Sequence, residues 1–405
     1  MWISQAASLF GSAVVDFALA WYLTRETGKA TVLATALMAA LIPQIVLGPF
    51  VGPLIDRWSR KKIMIISDAA ISLLTAVLVV LFITGTVQIW HIYAIMVGRS
   101  IGGTFQNPAL GASIPMLVPE KQLVRANGLF QMLQYTIRVI APIAGAMLME
   151  SLEMQWVLSV DIITAVIAIG CLLPLGIPQP PRTTLAVKAN YFGDMRQGFR
   201  YIWARQGLVM LIGMMALLMF FVVPASTLIP VLVNEHLGGD VIKLGWLGSA
   251  SGIGGIAGGL LLGIWGGFKK RMWTALLGFL IMIPCSVGLG LTSVNIFYAS
   301  TLPAMLFMGV GMAFVNAPLT AIMNAVIARD MQGRVFSLYH SIVMAVMPLG
   351  LIIGGPVADA LGIRSLYFIA SAAWLVILPL AMFSKSLMNL ENQKAEDKPA
   401  VESVN

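Results

Sequence analysis

The sequence predicts an all-α membrane protein, with twelve transmembrane helices in two pseudo-symmetric six-helix halves. Three observations predict it. Hydrophobic residues make up 59% of the 405, charged residues only 10%, and the mean hydropathy is +0.90. A soluble protein carries about 25% charged residues. Next, twelve apolar runs can be counted, at 2–23, 32–55, 63–84, 92–115, 128–149, 156–177, 208–233, 245–268, 272–292, 296–328, 335–358 and 366–387. Each is near or above the roughly 20 residues that a bilayer-crossing helix needs. Finally, the chain repeats itself. A shift of 209 residues places Arg60-Lys61-Lys62 on Lys269-Lys270-Arg271, Asn107 on Asn316, Leu110 on Leu319, Arg125 on Arg334 and Leu129 on Leu338. One offset serving two separate loops implies halves related by an axis along the membrane normal. The halves are expected at 1–177 and 208–388, joined by a cytoplasmic linker at 178–207 and followed by a disordered tail at 389–405.

The basic residues orient these runs. Alternate loops and the tail carry Arg57, Arg60, Lys61, Lys62, Lys121, Arg125, Arg182, Lys188, Arg196, Arg200, Arg205, Lys269, Lys270, Arg271, Arg329, Arg334, Lys385, Lys394 and Lys398. The remaining loops hold only Arg25, Lys29, Lys243 and Arg364. By the positive-inside rule the first set faces the cytoplasm, with both termini inside, in a bacterial inner membrane. Topology thus accounts for the net charge of +8, and nucleic acid is not needed to explain it. Cys171 and Cys285 lie within apolar runs, and His91, His236 and His340 are isolated, so no metal or cofactor is implied. No Ser/His/Asp set, carboxylate pair or Walker lysine supports an enzyme or ATP use. The first run lacks a basic n-region, so no cleavable signal is expected. It starts so close to Met1 that a basic stub upstream is expected.

Taken in order, the first run carries Asp16, Phe17, Trp21 and Tyr22. These three aromatics, with Phe220 and Phe221 in the seventh run, are candidate contacts for an amphipathic substrate; ordinary helix packing accounts for each equally well. Between the second and third runs lies Gly52-Pro53-Leu54-Ile55-Asp56-Arg57-Trp58-Ser59-Arg60-Lys61-Lys62. It reads as a charged loop of about seven residues, whose Gly52 lets two helix ends approach, whose Asp56 and Arg57 pair, and whose Arg60, Lys61 and Lys62 hold an anionic membrane surface. Asp68 follows near the inner surface and is expected to brace that loop. The fourth run contains Arg99-Ser100-Ile101-Gly102-Gly103, and a membrane-buried arginine costs several kcal/mol unless it pairs or meets water. The fifth contains Arg138 and Ala141-Pro142-Ile143-Ala144-Gly145-Ala146, where proline bends the helix and small neighbours admit a partner. Pro178, Pro180 and Pro181 end the sixth run. In the linker, Phe192, Met195, Phe199 and Ile202 recur at helical spacing opposite Asp194, Arg196, Gln197 and Arg200, as in an amphipathic helix on the inner leaflet. A simple tether is the favoured reading there over a regulatory role.

Gly252-Ile253-Gly254-Gly255-Ile256-Ala257 formally fits the dinucleotide fingerprint, but it lies mid-run with no preceding strand. Gly248, Gly252, Gly255, Gly259 and Gly263 are expected instead on one packing face. The tenth run is too long for one span and is expected to pass beyond the membrane at its far end.

The loop motif resembles the signature between helices 2 and 3 of the major facilitator superfamily, G-x-L-a-D-R-x-G-R-K, with Ser59 at a usual glycine. Arg99 to Gly103 is similar to the family's helix-4 motif. Ala141, Pro142 and Gly145 lie in a stretch similar to the helix-5 motif of drug/proton antiporters, G-P-x-x-G-G, with alanine at two glycine positions. In the second half the acid is lost, since Asp56 falls on Trp265 and Gly52 on Leu261. Nearly end to end, the chain resembles the macrolide-efflux branch. The carrying stretches are Tyr22-Leu23-Thr24-Arg25-Glu26-Thr27-Gly28, Asp56-Arg57, Arg60-Lys61-Lys62-Ile63-Met64, Arg99-Ser100-Ile101-Gly102, Pro108-Ala109-Leu110, Leu117-Val118-Pro119-Glu120 and Gly333-Arg334-Val335-Phe336-Ser337-Leu338. Siderophore exporters share several of them. The resemblance implies export of an amphipathic organic compound, such as a macrolide, in exchange for protons. Its expected partners are that small molecule, protons and the lipid bilayer, with the chain a monomer. Export of an endogenous metabolite or siderophore, or a non-transporting role beside another pump, are the alternatives.

Every embedded charge lies in the first half: Asp16, Asp68, Arg99, Arg138 and Asp161. Asp16 and Arg99 each sit about seven residues from the outer ends of their runs, roughly 10 Å deep at 1.5 Å per residue. The resemblance implies that helices 1 and 4 line the cavity. Asp16 is therefore expected to pair with Arg99 when ionised and to release it when protonated; a permanent structural pair is the alternative. Arg138 and Asp161 are the next coupling candidates, with Asp161 expected further from the cavity.

Overall fold

The computed structural model describes residues 2–119, 122–176 and 191–392, and among them it is helical with no strand. The first half comprises α1 (Trp2–Thr27), α2 (Ala30–Arg57), α3 (Arg60–Ile83), α4 (Ile89–Leu117), α5 (Leu123–Ser151) and α6 (Met154–Leu172). After α7 (Tyr191–Trp203) come α8 (Gln206–Thr227), the short α9 (Ile229–His236), α10 (Val241–Trp265), α11 (Arg271–Gly290), α12 (Leu302–Val326), α13 (Gln332–Leu361) and α14 (Arg364–Phe383). Among the described residues, eleven helices are long and apolar enough to cross a membrane. The 29-residue α4, which carries Arg99 and Gln106, joins them by packing along α2 and α3.

Several boundaries differ from the apolar runs, for local reasons. The charged loop shrinks to Trp58 and Ser59, because α2 continues through Arg57 and Ser59 caps α3 by accepting from the Lys62 amide at 3.4 Å. Two of its basic residues turn inward. Arg60 is buried and donates to the Ala112 carbonyl at 2.7 Å, and Lys61 Nζ donates to the Leu173 and Leu175 carbonyls at 2.7 and 2.8 Å. Arg60 thus ties α3 to the last third of α4, and Lys61 meets carbonyls just past the end of α6, where the helix dipole favours a cation. The side chains of Gly52, Asp56 and Arg57 lie outside the described residues.

The seventh run breaks at Leu228, after Pro224, into α8 and α9. The extra length of the tenth is taken up at its start, not its far end, by a 3₁₀ turn (Val294–Ile296) and a π-helical turn (Phe297–Thr301). In the linker, residues 177–190 lie outside the described residues. Of the expected apolar face of α7, Ile202 is buried in the second-half core, Met195 and Phe199 are exposed, and the Phe192 and Asp194 side chains are outside the described set. The tail begins later than expected. Leu390 is fully buried and Glu391 accepts from the Met272 amide at 2.8 Å, while 393–405 lie outside the described residues.

Between helices in lipid there is little hydrophobic drive, so association rests on close packing and hydrogen bonds. The two halves meet along α5–α10 and α2–α13. A Cβ at Gly245 would lie 2.7 Å from Ala146 Cβ and 2.9 Å from the Pro142 carbonyl, and one at Gly248 would lie 2.8 Å from Pro142 Cβ. Gly252 faces Val139 in the same way, and Ser249 Oγ donates to the Val139 carbonyl. Further along α10, Gly255, Gly259 and Gly263 meet nothing within 4 Å. The glycine stripe therefore does not pack along its whole length, and the contacts to α12 come from Gly254 and Gly258 on another face. At α2–α13, Asp359 accepts from the Ala30 and Thr31 amides at 2.7 and 3.0 Å, and Gly355 sits against Thr31 and Ala34. All these crossings lie at the end away from Arg60, Lys61 and Arg271. Toward the basic end the seam parts, since Gly255, Gly259 and Gly263 meet no neighbour there.

Candidate functional site

Gln5, Ser8, Ser12 and Asp16 are spaced three, four and four residues apart on α1, so they share one face. Gly11, on the neighbouring face, lets α6 approach: a Cβ there would lie 3.0 Å from Asp161 Cα and would overlap Thr164 Oγ1. That contact brings the Asp161 carboxylate between α1 and α3. Ser12 Oγ donates to Asp161 Oδ1 and Thr75 Oγ1 to Oδ2, both at 2.8 Å.

Arg99 of α4 completes the cluster. One terminal nitrogen donates to Asp161 Oδ2 and Thr75 Oγ1. The other donates to Asp16 Oδ1 and the Ser12 carbonyl, each at 3.3 Å. One guanidinium thus faces two carboxylates. Asp161 is fully buried and Arg99 is 5% exposed, yet the Asp16 side chain is 66% exposed. Asp16 is the member that faces open space, although it sits in mid-helix. Measured to Thr27 it is about 16 Å deep, and Arg99 is about 15 Å from Ile89, at 1.5 Å per residue. Both are deeper than the runs imply, because α1 ends later and α4 begins earlier than the apolar segments. Asp161, expected further from the cavity, is Arg99's buried partner, and Asp16 is the exposed one.

Asp68 does not reach the basic loop. It is 1% exposed and accepts from Gln5 Nε2 at 2.8 Å, Ser8 Oγ at 2.6 Å and Gln106 Nε2 at 2.5 Å. On α5, Ile137, Ala141 and Gly145 face α1, and Val139, Pro142 and Ala146 face α10. Arg138 falls between these two directions, where it is exposed and makes no ion pair among the described residues. Pro142 is a seam residue against Gly245 and Gly248, and Gly145 packs on α1, where a Cβ would lie 2.8 Å from the Phe17 ring.

Of the candidate aromatic contacts, Phe17 is half-buried beside Asp16. Trp21 is 2% exposed, within the core that joins the halves at the end away from the basic residues. Tyr22 turns from the cavity and meets Phe82 edge to face, 5.0 Å between ring centres. Phe220 and Phe221, both half-buried, meet each other the same way at 5.1 Å. In this conformation Trp21 and Tyr22 are engaged in helix packing.

The polar residues that sequence reasoning missed are Gln5, Ser8, Ser12, Thr75 and Gln106. Their signal was present. Thr75 follows Asp68, and Gln106 follows Arg99, by seven residues, two helical turns on one face. Among the described residues no cluster of His, Cys, Asp and Glu can hold a metal ion.

Residues 1–351 match the sequence model of the Major Facilitator Superfamily. The chain is 31% identical over 380 residues to macrolide efflux protein A of Streptococcus pyogenes, covering 94% of this chain and 93% of that one. It is 24% identical to the multidrug efflux pump Tap of Mycolicibacterium fortuitum, covering 94% of each. Among solved structures it is similar to a bacterial homologue of the iron transporter ferroportin in an inward-facing state, with a TM-score of 0.72, 15% identity and coverage of 96% and 97%. A D-xylose–proton symporter gives a TM-score of 0.70 at 14% identity, covering 98% and 99%.

Proposed function

The chain belongs to the Major Facilitator Superfamily, and on that premise we propose that it is a secondary active efflux transporter exporting an amphipathic, macrolide-like compound in exchange for protons. The observation that carries the reading is Asp16: a carboxylate exposed at mid-membrane depth and tethered to an arginine that a buried acid already balances. With both acids ionised the cluster carries net charge −1 in a medium that penalises charge. A proton on Asp16 neutralises it without disturbing the Arg99–Asp161 pair, so the site takes up and gives back a proton at small structural cost. The 31% identity to a macrolide efflux protein supports the substrate class.

The basic end faces the cytoplasm by the positive-inside rule, in the inner membrane with both termini inside. The described conformation is then open to the cytoplasm and sealed outside by Asp359 and the α5–α10 seam. Substrate enters from within as Asp16 loses its proton inward. When the seal breaks and the inner side closes, Asp16 is recharged from the acidic exterior. Everted vesicles with an acidified lumen should accumulate a radiolabelled macrolide, and a protonophore should abolish the accumulation. Accumulation that persists with the gradient collapsed would overturn the reading.

A further inference from the structure

Asp68 is a carboxylate that this cycle does not use. It lies about 12 Å from the start of α3 at 1.5 Å per residue, fully enclosed, with a shell of two amides and a hydroxyl and no cation among the described residues. Charged groups on the helices around it all lie nearer the other end of the membrane: Asp16 on α1, Arg99 on α4 and Asp161 on α6. Of those at the start of α3, Arg60 donates to the Ala112 carbonyl, Lys61 donates to the carbonyls of Leu173 and Leu175, and Lys62 is exposed. A buried carboxylate without a cation is costly as an anion, and loses that cost on gaining a proton.

The shell can serve either state. As drawn, Ser8, Gln5 and Gln106 all donate to the carboxylate. The glutamine amides present an oxygen on turning over, and the Ser8 hydroxyl can accept as well as donate, so a carboxylic O–H would also be satisfied. The same α1 face continues through Ser12, which holds Asp161, to Asp16. Polar side chains therefore recur at each turn of this α1 face, Gln5 and Ser8 on Asp68, Ser12 on Asp161 and Asp16 on Arg99, along a helix otherwise packed in apolar surroundings.

We propose that Asp68 is a second proton-binding site, taking up a proton within the neutral shell of Gln5, Ser8 and Gln106. The proton comes from water admitted at the basic end and returns there; the carboxylate becomes a carboxylic acid and no other bond changes. The inference rests on the proton-exchange reading of Asp16, but its test does not.

Infrared spectroscopy of the purified full-length chain in detergent detects a protonated carboxyl by its C=O stretch. A pH titration should show a carboxylic band that survives Asp16→Asn and is lost in Asp68→Asn. Gln106→Leu, which removes one donor to the anion, should move that band's titration to higher pH by about one to two units, the worth of a hydrogen bond to a charged group. Three results would overturn the proposal: bands identical in the wild type and Asp68→Asn, no response to Gln106→Leu, or a band that sodium ions suppress at constant pH, which would assign the shell to a cation. If wild-type export ignores the proton gradient while the Asp68 band still titrates, the Asp16 reading fails and this one stands.

Discussion

Arg99 owes its position to a division of labour between two acids. Asp161 is enclosed and bound by Ser12 and Thr75 as well as by Arg99, so it keeps the guanidinium in place. Asp16 makes a single longer bond and faces open space. Removing the buried partner should therefore be the more damaging change to the fold. Asp161→Ala leaves Arg99 buried with only an exposed acid, and breaking such a pair costs about 3–5 kcal/mol. Thermal unfolding in detergent should show that loss, against a much smaller change in Asp16→Asn. Equal shifts in the two variants would mean that both acids are structural. Asp16 and Arg99 were legible in the sequence as a pair because their distances from the outer ends of their runs match. Asp161 was not, because an apolar run gives depth but not the rotation of its helix. That rotation is set by the approach at Gly11.

At the scale of elements, the seal opposite the basic end consists of one charged cap and one small-residue seam. The positive end of the α2 dipole and its unpaired amides are met by the Asp359 carboxylate from α13. Asp359→Asn keeps the size but weakens this bond, and Gly245→Val places carbon where Ala146 and Pro142 already lie. Each change should shift the population toward the state open at that end. Spin labels at Lys29 and Leu361 would report it as a longer distance between α2 and α13; distances unchanged in both variants would remove these contacts from the gate. The sequence marked Pro142 and the α10 glycines as packing positions. It did not show that only the upper part of the glycine stripe meets α5, since a periodic pattern is silent about where two helices part. The shortened α2–α3 loop has a similar origin. Charged residues ended the apolar runs early, although helical hydrogen bonding continues through Arg57 and resumes at Arg60.

For the whole molecule, composition, apolar runs and the internal offset made an all-helical, many-spanning architecture legible, and eleven spans are found among the described residues. The conformation was not legible, because the same residues must close either end in turn. Orientation follows from the charge asymmetry. Reporter fusions after Met64 and Arg271 should report cytoplasm, and fusions near Gly28 and Gly239 the outside. A reversed pattern at either pair would overturn the orientation and, with it, the direction of transport.

The central claim is that Asp16 carries the exchanged proton. The direct measurement is transport of a radiolabelled macrolide by Asp16→Asn in proteoliposomes, with and without an imposed proton gradient. Accumulation driven by the gradient should disappear, at least tenfold below the wild type, while macrolide/macrolide exchange continues. Accumulation at the wild-type level would contradict the account and leave Asp16 as only a structural partner of Arg99.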